Sequence, residues 1–134
     1  RFNRVDYTVL EDRLAGLYQR WNLSCMIIEI NSIGQPVLDH LRQRGLRVMP
    51  FMTTSASKQI VIQKLQSAFE HGLIKIINHP IQTGELLSFE SKRNASGSFS
   101  YSAPEGVHDD TVMALAFAWD AISEPSPLDL IAFV

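Results

Sequence analysis

The feature that most constrains the fold is an alternation of short apolar runs with segments in which apolar residues recur at the period of an α-helix. The runs "SCMIIEI" (24–30) and "LRVMPF" (46–51) are bounded by polar residues and predict two buried strands. Apolar spacing, capping residues and terminal glycines predict helices around them, over 8–21, over 36–44 and from Thr54 to Gly72. Strands that alternate with helices in this way favour an α/β domain.

The second half of the chain adds a predicted hairpin and a final apolar helix. Side chains alternate over 86–92 and 98–102, on either side of the turn-forming residues Asn94 to Gly97, which is typical of a β-hairpin. The stretch "GVHDDTVMALAFAWDAI" then predicts a helix over 109–122 that is apolar nearly all round and therefore buried.

Two weaker segments complete the assignment. The run "LIKI" (73–76) is short and strand-like, and the proline-rich residues 123–134 predict a tail. We therefore expect residues 1–134 to form a single α/β domain with a mixed sheet flanked by helices and a hairpin before the last helix. The first residue is not Met and a helical pattern begins almost at once, so we expect this domain to be a fragment of a larger chain.

Composition excludes several classes of protein. With 46% hydrophobic and 19% charged residues, disorder is not expected. A net charge of −2 argues against a polycation that coats nucleic acid, although it leaves room for a local basic patch. Cys25 is the sole cysteine, which excludes a disulfide framework or a cysteine zinc site. No apolar stretch approaches the roughly 18 residues of a membrane helix, so we expect a soluble, intracellular protein.

Glu29 is the one charged residue in the first predicted strand. A carboxylate in a strand that is otherwise apolar must be paired, neutralised or bound to a cation, because burying it alone costs several kcal/mol. One interpretation is a residue that emerges into solvent where the strand ends. The other is a metal ligand or an acid/base group, since α/β proteins bind ligands at the carboxyl ends of their strands.

Asp109 and Asp110 lie side by side where the last helix begins. Helix capping explains one aspartate, because Asp is a favoured N-cap and its charge complements the helix dipole. The alternative is a metal site, in which both carboxylates, the flanking His108 and the distant Glu29 converge on a cation. Oxygen ligands of this kind suit Mg²⁺ or Mn²⁺, and paired metals of this kind serve phosphodiester cleavage.

Three basic residues are candidates for DNA binding. Lys58 falls in the first turn of its predicted helix, where a cation opposes the dipole and an anionic partner such as phosphate would relieve it. Lys92 and Arg93 lie beside the predicted hairpin turn and could follow a DNA backbone. For all three, a solvated surface side chain is the alternative.

Four motifs in a fixed order resemble the C-terminal nuclease domain of viral large terminase subunits, the DNA-packaging motors of tailed phages. They are "EINSIG" on a strand, "TTSASK" at a helix start, "ELLSF" before a hairpin, and "HDD" at the opening of an apolar helix. Each motif alone is weak, but the four in sequence are fairly specific. The likeness covers roughly residues 10–122.

This resemblance implies an RNase H-like fold and a two-metal endonuclease that uses Mg²⁺ or Mn²⁺ to cut concatemeric viral DNA during genome packaging. Glu29 matches the second acidic position of the family, and Asp109 and Asp110 match its acidic pair at the last helix. His108 matches a histidine beside the ligands, which implies either a proton donor to the leaving oxygen or a structural role. Lys58 resembles a family lysine.

The same resemblance implies the partners and the setting. The implied partners are double-stranded DNA, an N-terminal ATPase domain, the portal and the small terminase subunit. The implied setting is the cytoplasm of a bacterial host, away from any membrane.

One departure from the family pattern bears on activity. The first acidic residue of the family lies on an upstream strand, whereas Asp6 precedes a helix here and is not a candidate for it. Two alternatives to the terminase interpretation therefore stay open. One is a resolvase-like or transposase-like nuclease of the same fold, and the other is a non-catalytic interaction domain on the same scaffold.

Overall fold

The computed structural model describes residues 6–33, 35–93 and 99–123. The chain divides into two compact units, Arg1–Thr53 and Thr54–Val134. The first unit contains α1 (Tyr7–Arg20), β1 (Met26–Glu29), α2 (Ile30–Ile33), α3 (Gln35–Gln43) and β2 (Val48–Phe51). The second contains α4 (Ser55–Glu70), α5 (Pro80–Ser88), β3 (Glu90–Arg93), β4 (Phe99–Ser102) and α6 (Asp110–Ser123). No helix in the described ranges is long and apolar enough to cross a membrane.

The first unit is built around a parallel pair of strands. β1 and β2 pair in parallel with Ile28 opposite Pro50, and α1 and α3 contact each other beside them. The core of the unit is a cluster of buried aliphatic side chains from both strands, both helices and the segment between α3 and β2, namely Ala15, Ile28, Val37, Leu38, Leu41, Leu46 and Val48. Burial of these side chains drives the packing, because each large aliphatic group removed from water contributes about 1.5–3 kcal/mol. The two predicted strands are therefore confirmed, although Ile30 already belongs to α2.

The ends of β1 and β2 are tied together by one side chain. Asn31 follows Glu29 by two residues, and its amide nitrogen donates to the carbonyl of Thr53 at 2.8 Å. In return, the backbone N–H of Thr53 donates to Asn31 Oδ1 at 2.8 Å. This reciprocal pair holds the chain that leaves β2 beside the carboxyl end of β1, where Glu29 lies.

The outer side of β2 carries two features that bear on its pairing. The guanidinium of Arg42 donates to the carbonyl of Val48 through Nε at 3.1 Å and Nη2 at 3.0 Å. Two residues further on, Pro50 has no N–H to donate.

Three helices end in the same hydrogen-bonding pattern. Leu73 N–H bonds to the Ala68 carbonyl and Gly72 N–H to the Phe69 carbonyl, which is the Schellman arrangement that closes a helix. The residue after the cap then needs a positive φ, which glycine adopts at little cost. Gly72 at +65° and Gly45 at +80° supply it after α4 and α3, and Asn22 at +46° supplies it after α1. Both glycines were predicted as helix stops, whereas Asn22 was not, although asparagine also occurs at this position.

The second unit is organised by the packing of α4 on α6. Val61, Ile62, Leu65 and Ala68 are buried on α4, and Val112 and Ala116 are buried on α6. An ion pair between Lys64 Nζ and Asp120 Oδ1 at 2.6 Å also joins the two helices. The helix predicted over 109–122 is confirmed within one residue at each end, but it is buried along one side only, since Ile122 is 75% exposed.

The predicted hairpin is present but shorter than expected. β3 and β4 pair antiparallel, with Glu90 opposite Ser102 and Arg93 opposite Phe99. The expected turn at residues 94–97 lies outside the described residues. Among the described strands, the hairpin and the β1–β2 pair are two separate two-stranded sheets, where the sequence led us to expect one mixed sheet.

Two local assignments were wrong. Residues 86–88 belong to helix α5 and not to a strand, because Pro80 lies in the first turn of this helix and its fixed φ favours a helix start. Residues 73–76 form no strand in the described structure, and Leu73 is 66% exposed. A strand needs a partner for its backbone groups, and an apolar run alone does not provide one.

The Asn31 pair predicts a local change in hydrogen exchange. Asn31→Ala removes the acceptor of the Thr53 N–H, so we expect faster exchange of that amide and a loss of about 1–2 kcal/mol of unfolding free energy. NMR-detected exchange and urea unfolding measure the two effects. Gln35→Ala is a matched control, because it removes a side-chain bond to Asp39 in the same unit without touching Thr53. Unchanged Thr53 exchange in Asn31→Ala would contradict the role of Asn31.

Candidate functional site

Glu29 is the last residue of β1 and is half-buried. It lies opposite Phe51, the last residue of β2, so the parallel pairing delivers it to the carboxyl edge of the strand pair. Asn31 then fixes the chain that follows. Both interpretations of Glu29 place it at this edge, where α/β proteins bind ligands, so its role as a metal ligand stays a prediction.

Asp109 is engaged by a lysine from another helix. Lys58 Nζ lies 2.7 Å from Asp109 Oδ2, and the two side chains are only 21% and 29% exposed. Partial burial reduces the solvent screening of the attraction between the two charges, and it also costs them part of their hydration. Lys58 was predicted as a DNA-binding residue, and the structure shows that its charge is directed at Asp109.

The other predicted residues around Asp109 are more exposed. Asp110 is the first residue of α6 and is exposed, and His108 is exposed in the segment that precedes the helix. The carbonyl of Asp109 accepts from the N–H of Met113 at 2.9 Å, so Asp109 occupies the capping position of the helix. Its side chain bonds to Lys58, which argues against capping as the main reason for this aspartate.

Sequence reasoning missed a third carboxylate near this helix start. Glu85 on α5 is buried at 5% exposure, and its Oε2 accepts from the backbone N–H of Thr111 at 2.7 Å and from the Thr111 hydroxyl at 2.6 Å. A signal was available, because Glu85 is the sole charge in "IQTGELLSF". The motif "ELLSF" contributed to the resemblance, yet no role followed from it.

The two basic residues of the hairpin lie on β3. Lys92 is 65% exposed, and its Nζ is 3.2 Å from Glu90 Oε2 on the same strand. The backbone of Arg93 pairs with Phe99 on β4. Their binding to DNA stays a prediction, as does that of Lys58.

The predicted ligands belong to different units. Glu29 lies in the unit that ends at Thr53, and Asp109 and Asp110 lie in the unit that begins at Thr54. Within the described residues, no group of three or more His, Cys, Asp or Glu side chains could hold a metal ion. The chemistry of the predicted donors fits a hard divalent cation, because all three are carboxylates. Their convergence on one cation stays a prediction.

Asp6 has a structural role. Its Oδ1 accepts from the N–H of Thr8 at 2.9 Å and so caps the first turn of α1. This agrees with its exclusion as a candidate ligand.

Comparison with known proteins places the chain in a family. A family profile described as "Terminase RNaseH-like domain" matches residues 1–121. The large terminase subunit of Thermus phage G20c is 28% identical over 120 residues, which cover 89% of this chain. The chain spans 25% of the length of that relative.

Solved structures of the large terminase nuclease from thermophilic phage G20c, one with bound cobalt and one with bound magnesium, are similar in fold. Each has a TM-score of 0.79 and 26% sequence identity, and each match covers 89% of this chain and 64% of the solved chain. The expectation of an RNase H-like α/β fold is therefore confirmed. The matched range also includes all four motifs on which the resemblance was based. With the profile covering residues 1–121, the chain belongs to the terminase RNase H-like domain family.

Proposed function

We propose that this chain is the metal-dependent nuclease domain of a phage large terminase subunit and cuts concatemeric viral DNA during genome packaging. The observation that carries the proposal is the acidic start of α6, where Asp109 is held by Lys58 and Asp110 follows it. Membership of the terminase family supports it, as do related nuclease structures that contain cobalt or magnesium.

Glu29, Asp109 and Asp110 are the residues that would hold Mg²⁺ or Mn²⁺, as a two-metal site. When bound, such cations neutralise charge on a phosphodiester as it is cut and align the attacking and leaving oxygens. We assign His108, which is exposed immediately before the pair, the role of proton donor to the leaving oxygen.

The chain itself supplies two conditions for such a site. The Lys58 ammonium compensates the charge of Asp109 and limits the repulsion between adjacent carboxylates. Val112 and Ala116 of α6 are buried where this helix packs on α4, which fixes the axis from which the aspartates project.

DNA is the proposed substrate, with Lys58, Lys92 and Arg93 as contacts to its phosphates. An ATPase domain, the portal and the small terminase subunit are the proposed partners, and the bacterial cytoplasm is the proposed location. Family membership favours this reading over a resolvase-like or transposase-like nuclease. A non-catalytic interaction domain on the same scaffold is the competing function, since the described residues contain no complete cluster of three metal ligands.

Divalent cations should stabilise the chain if the acidic pair binds them. We expect millimolar Mn²⁺ or Mg²⁺ to raise Tm, because a ligand that binds only the folded state at about 100 times its Kd adds about 2.7 kcal/mol. Asp109→Asn with Asp110→Asn should abolish this gain. Differential scanning calorimetry with and without the cation measures it.

The control for this experiment is a second double variant. Glu70→Gln with Glu105→Gln changes two exposed carboxylates of the same unit and should retain the gain in Tm. Equal gains in the wild type and in both double variants would show that the aspartates are not ligands.

Cleavage tests the catalytic assignment directly. We expect the full-length protein to cut plasmid DNA only with Mn²⁺ or Mg²⁺, and Glu29→Gln to lower the rate at least about 100-fold, since even outer partners of a metal site cost 10–100-fold. Gel analysis of supercoiled plasmid measures the rate. Asp39→Asn, an exposed carboxylate of the same unit, is the control. Full activity of Glu29→Gln would remove Glu29 from the site, and no cleavage by the wild type would favour the interaction domain.

Salt dependence tests the DNA contacts. Each lysine or arginine that neutralises a phosphate contributes about 0.9 to the slope of log K against log salt concentration. Lys92→Gln and Arg93→Gln should therefore each reduce the slope by roughly that amount, measured by fluorescence anisotropy with duplex DNA. Lys75→Gln, which changes an exposed lysine of the same unit, should leave the slope unchanged. Equal slopes in all three variants would refute the assignment.

A further inference from the structure

Glu85 is a buried carboxylate that has no role in the proposed metal site. It is only 5% exposed, and it lies on α5, which contacts α6. A carboxylate in such a place is costly unless it accepts good hydrogen bonds. Its Oε2 accepts two short ones, from the N–H of Thr111 at 2.7 Å and from its hydroxyl at 2.6 Å.

These bonds replace the usual cap of α6. The first N–H groups of a helix need an acceptor, and the side chain of the capping residue normally supplies it. Asp109 occupies the capping position, but its carboxylate bonds to Lys58. The N–H of Thr111 is satisfied instead by a side chain 26 residues earlier in the sequence.

We propose that Glu85 is a positioning residue for the acidic pair. It holds the first turn of α6 in one orientation, and it takes over the capping of Thr111 so that Asp109 is left for Lys58 and a divalent cation. The inference rests on the proposed function, because it assigns Glu85 a purpose only if Asp109 and Asp110 are ligands.

The geometry of an α-helix explains why the orientation of the first turn of α6 affects the two aspartates. Successive residues of an α-helix project about 100° apart, since one turn takes 3.6 residues. A small rotation or fraying of the first turn would therefore turn Asp109 and Asp110 away from a shared ligand. Burial of Val112 packs this turn against the rest of the unit, and the two bonds to Thr111, the residue next to Asp110, add a directional restraint. The negative charge of Glu85 also suits the positive end of the helix dipole.

The test measures Mn²⁺ binding by the full-length protein. Binding that is lost when both Asp109→Asn and Asp110→Asn are introduced is assigned to this site. We expect Glu85→Ala to raise the Kd of that site about 10–100-fold, the range for partners that orient metal ligands. Glu85→Gln should stay within about threefold of the wild type, because its amide oxygen still accepts from Thr111. Isothermal titration calorimetry gives the Kd, and far-UV circular dichroism verifies that each variant is folded.

Asp120→Asn is the matched control for a general weakening of α6. It breaks the ion pair with Lys64 near the other end of the same helix, so it destabilises α6 without touching its first turn. Its Kd should match that of the wild type. An Asp120→Asn variant that loses as much affinity as Glu85→Ala would overturn the inference, because the loss would then follow from helix stability alone.

A measurement without metal tests the hydrogen bonds between Glu85 and Thr111 directly. In the protein without cation, the Thr111 amide should exchange with solvent faster in Glu85→Ala than in the wild type, while Glu85→Gln preserves its protection. Unchanged Mn²⁺ affinity in Glu85→Ala would overturn this inference and leave the proposed function standing. No Mn²⁺ binding to Asp109 and Asp110 in the wild type would overturn both.

Discussion

The second unit is governed by the need to bury a helix that is apolar nearly all round but begins with two aspartates. Burial of Val112 and Ala116 against α4 brings the N-terminus of α6 into a partly enclosed setting, where charges and free N–H groups both need partners. Lys58 and Glu85 supply those partners from two other helices. The two helices that carry these side chains, α4 and α5, both contact α6.

The period of apolar residues was enough to predict most of the elements, because period is a local property of the sequence. It located β1, β2, α4 and α6 within a few residues. It failed at α5, where Leu87 and Phe89 suggested alternation while Leu87 is 84% exposed at the end of a helix. The strand expected at 73–76 failed for another reason, since pairing depends on a neighbour that the run itself does not specify.

The candidate site shows more clearly that a local sequence pattern does not specify tertiary contacts. From the residues alone, capping was favoured over metal binding for Asp109, and the contacts that argue against capping are tertiary. Those contacts come from residues 51 and 26 positions away along the chain, namely Lys58 to Asp109 and Glu85 to Thr111. Each unit thus anchors its own candidate carboxylates, with Asn31 tying the strand ends beside Glu29 and the two charged side chains holding the start of α6.

The outer side of β2 has a consequence for how the parallel sheet can grow. Met26 N–H bonds to the Arg47 carbonyl, so the odd-numbered backbone groups of β2 face β1 and the even-numbered groups face outward. On that outward side, Arg42 already occupies the carbonyl of Val48, and Pro50 offers no hydrogen to a newcomer. This flank of the sheet is therefore blocked to edge-to-edge pairing, which is how proteins guard against unwanted strand addition. The described strand β1 contains no proline, so a further strand would pair more readily alongside it, beside the residue Glu29.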